Sequence, residues 1–517
     1  MQRLTHFRQI ASLMTLSLLM SACTVGPDFE KPKTDVPKTW DWVSVPSNNA
    51  QTLASTVSVQ AIDVEWWKQF NDPELTKLVN RAMGANLSIR QAATRLEQSR
   101  AQQGIALADQ FPKLNGNVSY TRLKPSEKGI IDIFGSSRSS ATGAAANGTG
   151  VGVLGIPAIN IQPFSLWQYG FDASWELDLW GRVRREIEYA DASFEASNEA
   201  KSYAMLSTLA EVARDYIELR RIQRTLEIVR QMEDYAQQHL ELATQKVENG
   251  VATDLDVSQA KTQLSSIQAQ IPQVEEQQSE MINRLSFLVS APPKALQAEL
   301  IQPAIVPPVP PRVPIGLPSD LVRRRPDIRQ AEAQLHAATA EIGVAVADFY
   351  PRFLLTGSAG LQGLKIKDLA NWQALQYAIG PSMTLPIFQG GRLKATLELR
   401  ESEQKEAAIA YQNTVLQAWH EIDNALTAYA NEQLRNDRLA EAVKSSQDEL
   451  ELATMRFKHG VTDFLPVLTA QKTRLQAELD FANSTGKIST NLVALYKALG
   501  GGFDSVKETL ISEVKQN

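Results

Sequence analysis

At 517 residues the chain is long enough for several ordinary domains, and its net charge of −6 offers no basic face for nucleic acid. Its one cysteine, Cys23, leaves no intrachain disulfide to hold the fold. The five histidines are scattered, which excludes the dense ligand spacing of a structural metal centre.

Residues 1–22 carry Arg3 and Arg8, then an apolar run from Ile10 to Met20, then Ser21 and Ala22. A charged start, a short apolar run and small residues describe a lipoprotein signal peptide, with Cys23 as the expected site of lipid attachment. Thr24 rather than aspartate follows it, which suits sorting to the outer membrane. Several acyl chains would hold the N-terminus firmly, whereas one binds only marginally. No later stretch offers about 18 continuous apolar residues, so no transmembrane helix is expected and any spanning part must be a closed barrel.

Residues 24–60 are polar and proline-punctuated, and read as extended. Residues 75–110 show one helical pattern, ended at Phe111-Pro112 because the residue before proline disfavours helix. Leu114, Gly116, Val118 and Tyr120 then alternate with Asn115, Asn117, Ser119 and Thr121, a two-sided strand. After a Gly/Ser/Ala-rich loop over 124–163, a second strand returns antiparallel. In it Tyr169, Phe171, Ala173, Trp175 and Leu177 oppose Gln168, Asp172, Ser174, Glu176 and Asp178. Past Trp180-Gly181-Arg182, apolar residues recur at steps of three and four from Met205 to Val247. That is the left-handed coiled-coil period, in one helix over 182–249 about 100 Å long. Gly250 suits a left-handed helix end, and Thr253 with Asp256 suits a helix start. A second helix to about residue 289 contains Pro272 and should kink there. Residues 291–318 are proline-dense.

The chain then repeats itself. Arg90-Gln91-Ala92 is echoed by Arg329-Gln330-Ala331, Gly181-Arg182 by Gly391-Arg392, and Leu240-Glu241-Leu242-Ala243-Thr244 recurs as Leu450-Glu451-Leu452-Ala453-Thr454. The offset is 239 before the first hairpin loop (90 to 329) and 210 after it (181 to 391), so the 29-residue difference lies in that loop. Strands three and four alternate likewise over 353–361 and 377–387, and Pro381 and Pro386 predict local disruption of the last ladder. Alternation over about ten residues is what a transmembrane barrel strand needs. Four strands cannot close a barrel, so several chains must associate.

Other motifs point to no chemistry. Gly150-Val151-Gly152 with Gly155 has dinucleotide-binding spacing but is followed by Pro157 instead of a helix. His420-Glu421 lacks the second histidine of a zinc pair. Glu176 and Asp178 share a strand face and read as wall or rim acids rather than a catalytic pair. Arg323-Arg324-Arg325 reads as the exposed start of the helix that follows Pro326-Asp327. No catalytic, cofactor-binding or metal-binding residue is assigned.

Several motifs together resemble the TolC-like outer-membrane efflux family, specifically the lipoprotein channel subunits of tripartite RND-type multidrug pumps. They are Cys23 to Phe29 with Gly26-Pro27-Asp28, Trp66-Trp67 with Asp72-Pro73, Trp175 to Arg182, Leu321 to Ile328, and Leu385 to Arg392. The resemblance spans essentially the whole mature chain. It implies a fold of mixed α and transmembrane β. A homotrimer would make a 12-stranded β-barrel, four strands per chain, continuous with a 12-helix periplasmic α-barrel. The segments would be a signal peptide (1–22), a lipid-anchored N-terminal and equatorial segment (23–70), and a first repeat (71–290). An equatorial linker (291–320), a second repeat (321–500) and a C-terminal equatorial tail (501–517) would follow. The implied function is passive conduction of drugs or other toxic solutes out of the periplasm, with a duct for type I protein secretion as the alternative. The implied partners are a periplasmic adaptor, an inner-membrane RND-type pump and outer-membrane lipids, with no cofactor. The helix-tip turns at Gly250 and Gly460 would frame a gated entrance, with Asp254, Asp256 and Gln259 after the first. In the family an apolar ring and an acidic ring close the entrance. Leu465 takes the apolar position, Thr469 stands where the acid is usual, Lys472 holds a basic position, and Asp463 is the alternative carrier of negative charge.

Overall fold

The computed structural model describes residues 24–33, 55–58, 60, 63–124, 163–316 and 324–501. Cys23, the first hairpin loop and the C-terminal tail lie outside the described residues. In chain order the elements are β1 (Thr56–Ser58), α1 (Pro73–Ala85), α2 (Leu87–Ala108), β2 (Lys113–Leu123), β3 (Phe164–Leu177) and α3 (Arg182–Glu248). They continue with α4 (Asp254–Gln268), α5 (Gln270–Leu288), α6 (Gln297–Leu300), β4 (Arg312–Pro314), α7 (Pro326–Ala347), β5 (Arg352–Gly363), β6 (Leu375–Thr384), α8 (Arg392–Lys458) and α9 (Leu465–Ala498). The duplication reaches the element ends. α2 and α7 are each 22 residues and 239 apart, and α3 and α8 are each 67 residues and 210 apart.

Two compact units divide these elements. One holds residues 1–28, 103–189 and 339–401; the other holds 29–102, 190–338 and 402–517. In the first, the strands form an antiparallel sheet in the order β2-β3-β5-β6. Register puts Val118 opposite Tyr169 and Tyr169 opposite Leu361, while Phe171 lies opposite Ala359 and Ala359 opposite Tyr377. One face is therefore apolar, and it is exposed: Val118 is 85% accessible and Ile379 77%. The other face carries Asn115, Asp172 and Ser358 in one row, and Asn117 hydrogen-bonds Asp172 across it. A water-soluble sheet buries its apolar face against a core, and this sheet leaves that face bare. At Gly170 and Gly360 the two central strands close in. A Cβ on either would sit 2.5–2.6 Å from the opposite backbone, so only glycine fits.

The second unit buries its core in the conventional way. Trp66, Trp67, Phe70, Tyr216, Leu492 and Tyr496 belong to one cluster, with the rings of Trp66 and Tyr496 stacked at 5.2 Å. Asp72 caps α1 by accepting from the Glu74 and Leu75 N–H groups at 2.9 and 3.0 Å, while Tyr216 donates to its other oxygen at 2.8 Å. β1 and β4 pair in parallel beside this core.

Four expectations change. The single helix over 75–110 is two, because Asn86 turns extended, accepts from the Ser88 and Ile89 N–H groups and donates to the Leu288 carbonyl at 2.7 Å. The kink at Pro272 is a break at Ala269 between α4 and α5, since the proline ring displaces the carbonyl four residues earlier. Pro381 does not disrupt its ladder. It pairs with Leu355 within β6, an edge strand of this sheet where a missing N–H is tolerated, and β6 ends before Pro386. Arg325 is not exposed. It is buried, donates to the Ala498 carbonyl at 2.7 Å, and pairs with Asp327 and Glu421. The long-range partners make it a structural clamp rather than a basic patch.

Candidate functional site: strand-to-helix junction and helix turns

The first junction is built from the acids that end β3. Glu176 accepts from Arg182 through two parallel bonds of 2.9 Å, and Arg182 also reaches Glu186 at 2.5 Å. Asp178 accepts from the Val183 and Arg184 N–H groups at 3.2 and 3.0 Å, satisfying the first turn of α3 and placing a negative charge at the positive end of its dipole. Gly181, at φ +82°, makes the sharp entry. Burial works against the Arg182 charge, but the Glu176 hydrogen bond and the Glu186 charge outweigh it and hold the guanidinium charged. Burial pushes the Glu186 carboxyl up despite Arg182. Trp180 stacks on Tyr350 at 4.8 Å and donates to the Pro351 carbonyl. Glu176 and Asp178, expected as wall acids, are both committed to the helix that follows.

The strap after Cys23 is held at this same place. Val25 N–H donates to the Trp180 carbonyl at 3.1 Å. Arg185, 3% exposed, bonds the Val25 and Gly26 carbonyls and pairs with Asp28 at 2.6 Å. Gly26 lies against Gly343, where a Cβ would be 2.5 Å from the Gly343 Cα. The Gly26-Pro27-Asp28 motif is legible in the sequence; its receptor Arg185 is not, because 157 residues separate the ion pair.

The helix turns are a matched pair. Gly250 and Gly460 have φ +74° and +71°. In each, the residue after glycine donates back five positions (Val251 to Lys246 at 2.8 Å, Val461 to Arg456 at 3.0 Å), and the glycine donates back three. This is the Schellman helix end, which needs a residue without a Cβ. At the start of α4, the Thr253 N–H donates to Asp256 at 2.9 Å. Phe457, Phe464, Val467 and Ala243 form the core under these turns, and Lys246 caps it by donating to the Phe457 carbonyl at 2.6 Å.

Asp463, Leu465, Thr469 and Lys472 are all exposed. Leu465, Thr469 and Lys472 fall at positions i, i+4 and i+7 of α9 and so share one face, with the Thr469 hydroxyl donating to the Leu465 carbonyl. Sequence reading missed His239. It is buried at the edge of Phe464, its Nδ1 has no hydrogen-bond partner, and burial holds its pKa down, with Lys458 adding to the effect and Gln471 opposing it. Among the described residues no group of three or more His, Cys, Asp or Glu side chains is placed to hold a metal.

The model for outer membrane efflux proteins matches residues 78–291 and 317–501. Outer membrane protein OprJ of Pseudomonas aeruginosa is 31% identical over 501 residues, covering 97% of each chain. The toluene efflux pump outer membrane protein TtgC of Pseudomonas putida is 30% identical over 505 residues, covering 96% of each. Among solved structures, the outer-membrane channel OprN superposes with a TM-score of 0.81 at 30% identity, over 93% of this chain and 100% of that one.

Proposed function

The chain belongs to the family of outer membrane efflux proteins, channels rather than enzymes, and from that membership we propose that three copies assemble into one conduit. The observation that carries the reading is the sheet. Among the described residues its edge strands β2 and β6 have no further neighbour, they run antiparallel to each other, and the apolar face is bare. β6 of one copy can therefore continue the ladder into β2 of the next, and three copies close 12 strands without an edge. α8 adds support. Ile409 and Leu416, seven residues apart, stand exposed on it, as a stripe awaiting a neighbouring helix does. The long helices of three copies would line a 12-helix tunnel through the periplasm, while residues 23–70, 291–320 and 501–517 supply a collar around it. Acylated Cys23 would tether the assembly to the outer membrane.

The reading makes the conduit passive. A periplasmic adaptor and an inner-membrane pump of the RND type would select cargo and supply energy. The toluene efflux pump named for the TtgC relative supports small toxic solutes as that cargo. Leu465, Thr469 and Lys472, with Asp463 in the turn, would be repeated threefold at the entrance as its gate. The purified protein in a planar bilayer should give uniform, ohmic single-channel steps and run as a trimer on a mild-detergent gel. A monomer without conductance would overturn the proposal. In cells, loss of the gene should lower resistance to solvents and drugs; a loss confined to polypeptide secretion would move the function to protein export.

A further inference from the structure

The second hairpin has a tip unlike the rest of the sheet. Between Gly363 and Leu375 the chain makes two 3-10 turns, Ile366–Ala370 and Trp372–Ala374. Asp368 accepts from the Lys365 N–H at 3.2 Å, and Asn371 accepts from the Gln373 N–H at 3.2 Å, so the tip is held by its own polar groups. The apolar side chains have not turned inward. Trp372 is 83% exposed, Ile366 65%, and Leu364 is exposed as well. They extend the bare apolar stripe of Leu375, Tyr377 and Ile379 on β6. Lys365 and Lys367 are set among them, both exposed, and among the described residues neither forms an ion pair. Asp368, the one acid in the tip, is committed to the backbone.

The opposite end of the sheet treats its charges otherwise. Lys113 pairs with Asp109, Arg352 with Asp348, and Arg182 with Glu176. Among the described residues, cations without an ion pair collect at the hairpin end, where Arg122 and Lys124 also close β2 in exposed positions. That end is remote from the long helices, which leave from the ends of β3 and β6. It therefore faces the cell exterior in the conduit proposed above, and this inference rests on that reading.

We infer that residues 364–374 form a headgroup site for phosphorylated glycolipid of the outer leaflet. A loop meant for water has no use for an indole, an isoleucine and a leucine all held outward. A loop meant for hydrocarbon would not carry two unpaired ammonium groups. Both together fit the boundary between acyl chains and an anionic headgroup, where aromatic rings and lysines share one level. The phosphate oxygens would meet Lys365 and Lys367, while Trp372 and Ile366 enter the acyl layer beneath.

The test uses the full mature protein in nanodiscs of zwitterionic phospholipid doped with lipid A or with its dephosphorylated form. Native mass spectrometry counts retained glycolipid per chain, and single-channel conductance reports insertion separately. Wild type should prefer the phosphorylated form, and Lys365→Gln/Lys367→Gln should lose roughly tenfold of that preference while conducting normally, as expected for two near-surface lysines at an anionic leaflet. Conducting wild-type channels that retain both glycolipids equally, or a double variant with unchanged preference, overturn the inference alone. Displacement by free inorganic phosphate would assign a simple anion site instead and also overturn it. Chains that neither insert nor conduct would overturn the barrel reading and this inference with it.

Discussion

The two strand-to-helix junctions occupy equivalent places in the repeat and are secured by different means. In the first, Glu176, Asp178, Arg182 and Glu186 tie β3 to α3 within the chain. In the second, the positions 210 residues on are Pro386 for Glu176 and Phe388 for Asp178. Among the described residues the Arg392 side chain there finds Gln389, three residues away, and no acid. Ile387 and Phe388 stand 91% and 89% exposed. Two left-handed glycines, Gly390 at φ +59° and Gly391 at φ +85°, replace the single Gly181. A duplicated unit has thus kept its backbone course while one copy is fastened by charges inside the chain and the other leaves its apolar side chains bare. In the proposed ring of identical chains the first junction would fold each protomer, and the second would offer an apolar handle to its neighbour.

The largest expected effect tests the second half of that statement. Ile387→Ala with Phe388→Ala should weaken the trimer by about 3–4 kcal/mol per interface, judged from large apolar anchors at interfaces. On mild-detergent gels the trimer band should give way to monomer, with helix content by circular dichroism intact. A stable trimer would mean these side chains meet only lipid. Next comes Arg182→Ala, which strips two half-buried carboxylates of their partner and should cost about 2–3 kcal/mol, the lower part of the range for broken buried pairs because all three groups keep some exposure. Arg392→Ala, its counterpart, should leave the melting temperature unchanged. Equal losses at 182 and 392 would erase the distinction. Asp178→Ala should follow at about 1 kcal/mol, the usual worth of a helix cap, read as faster amide exchange in the first turn of α3 alone.

Much of this frame was legible because its signals are periodic. Two-residue alternation is forced on any strand with lipid on one side and water on the other, and it gave all four strands within a few residues. The duplicated motifs set offsets that the ends of α2 and α7, and of α3 and α8, obey to the residue. Features that depend on one distant partner left no local trace. Arg325 looked like an exposed charge because Ala498 and Glu421 are far off in sequence. Asn86 looked like one more helical residue because its bond to Leu288 was invisible. Pro381 looked disruptive because edge and central strands read alike. The proposed gate face is a mixed case. The 465, 469 and 472 spacing is plain in the sequence, and the structure leaves those side chains exposed, but their partners would lie on other chains.

The smallest effect concerns the same asymmetry at the far ends of the long helices. His239 in the first repeat is buried, while Glu449, its counterpart 210 residues on, is exposed. Burial, reinforced by Lys458, holds the folded imidazole below its ordinary pKa near 6.5. A depressed folded value means the neutral ring is the one the fold accepts. The stability it contributes is present above the unfolded pKa and drains away as pH falls through 6.5 toward the folded value. Acidification should therefore loosen the turn core of Phe457, Phe464 and Val467 before it touches the sheet. Once corrected for the intrinsic pH dependence of exchange, amide protection at residues 235–250 and 455–470 should fall as the pH drops below about 6.5 in the wild type, with no matching change in β2 to β6. His239→Phe, which keeps a ring against Phe464 and removes the proton, should flatten that dependence. If protection at the turns falls equally in His239→Phe, His239 is not the group that takes up the proton, and the assignment fails.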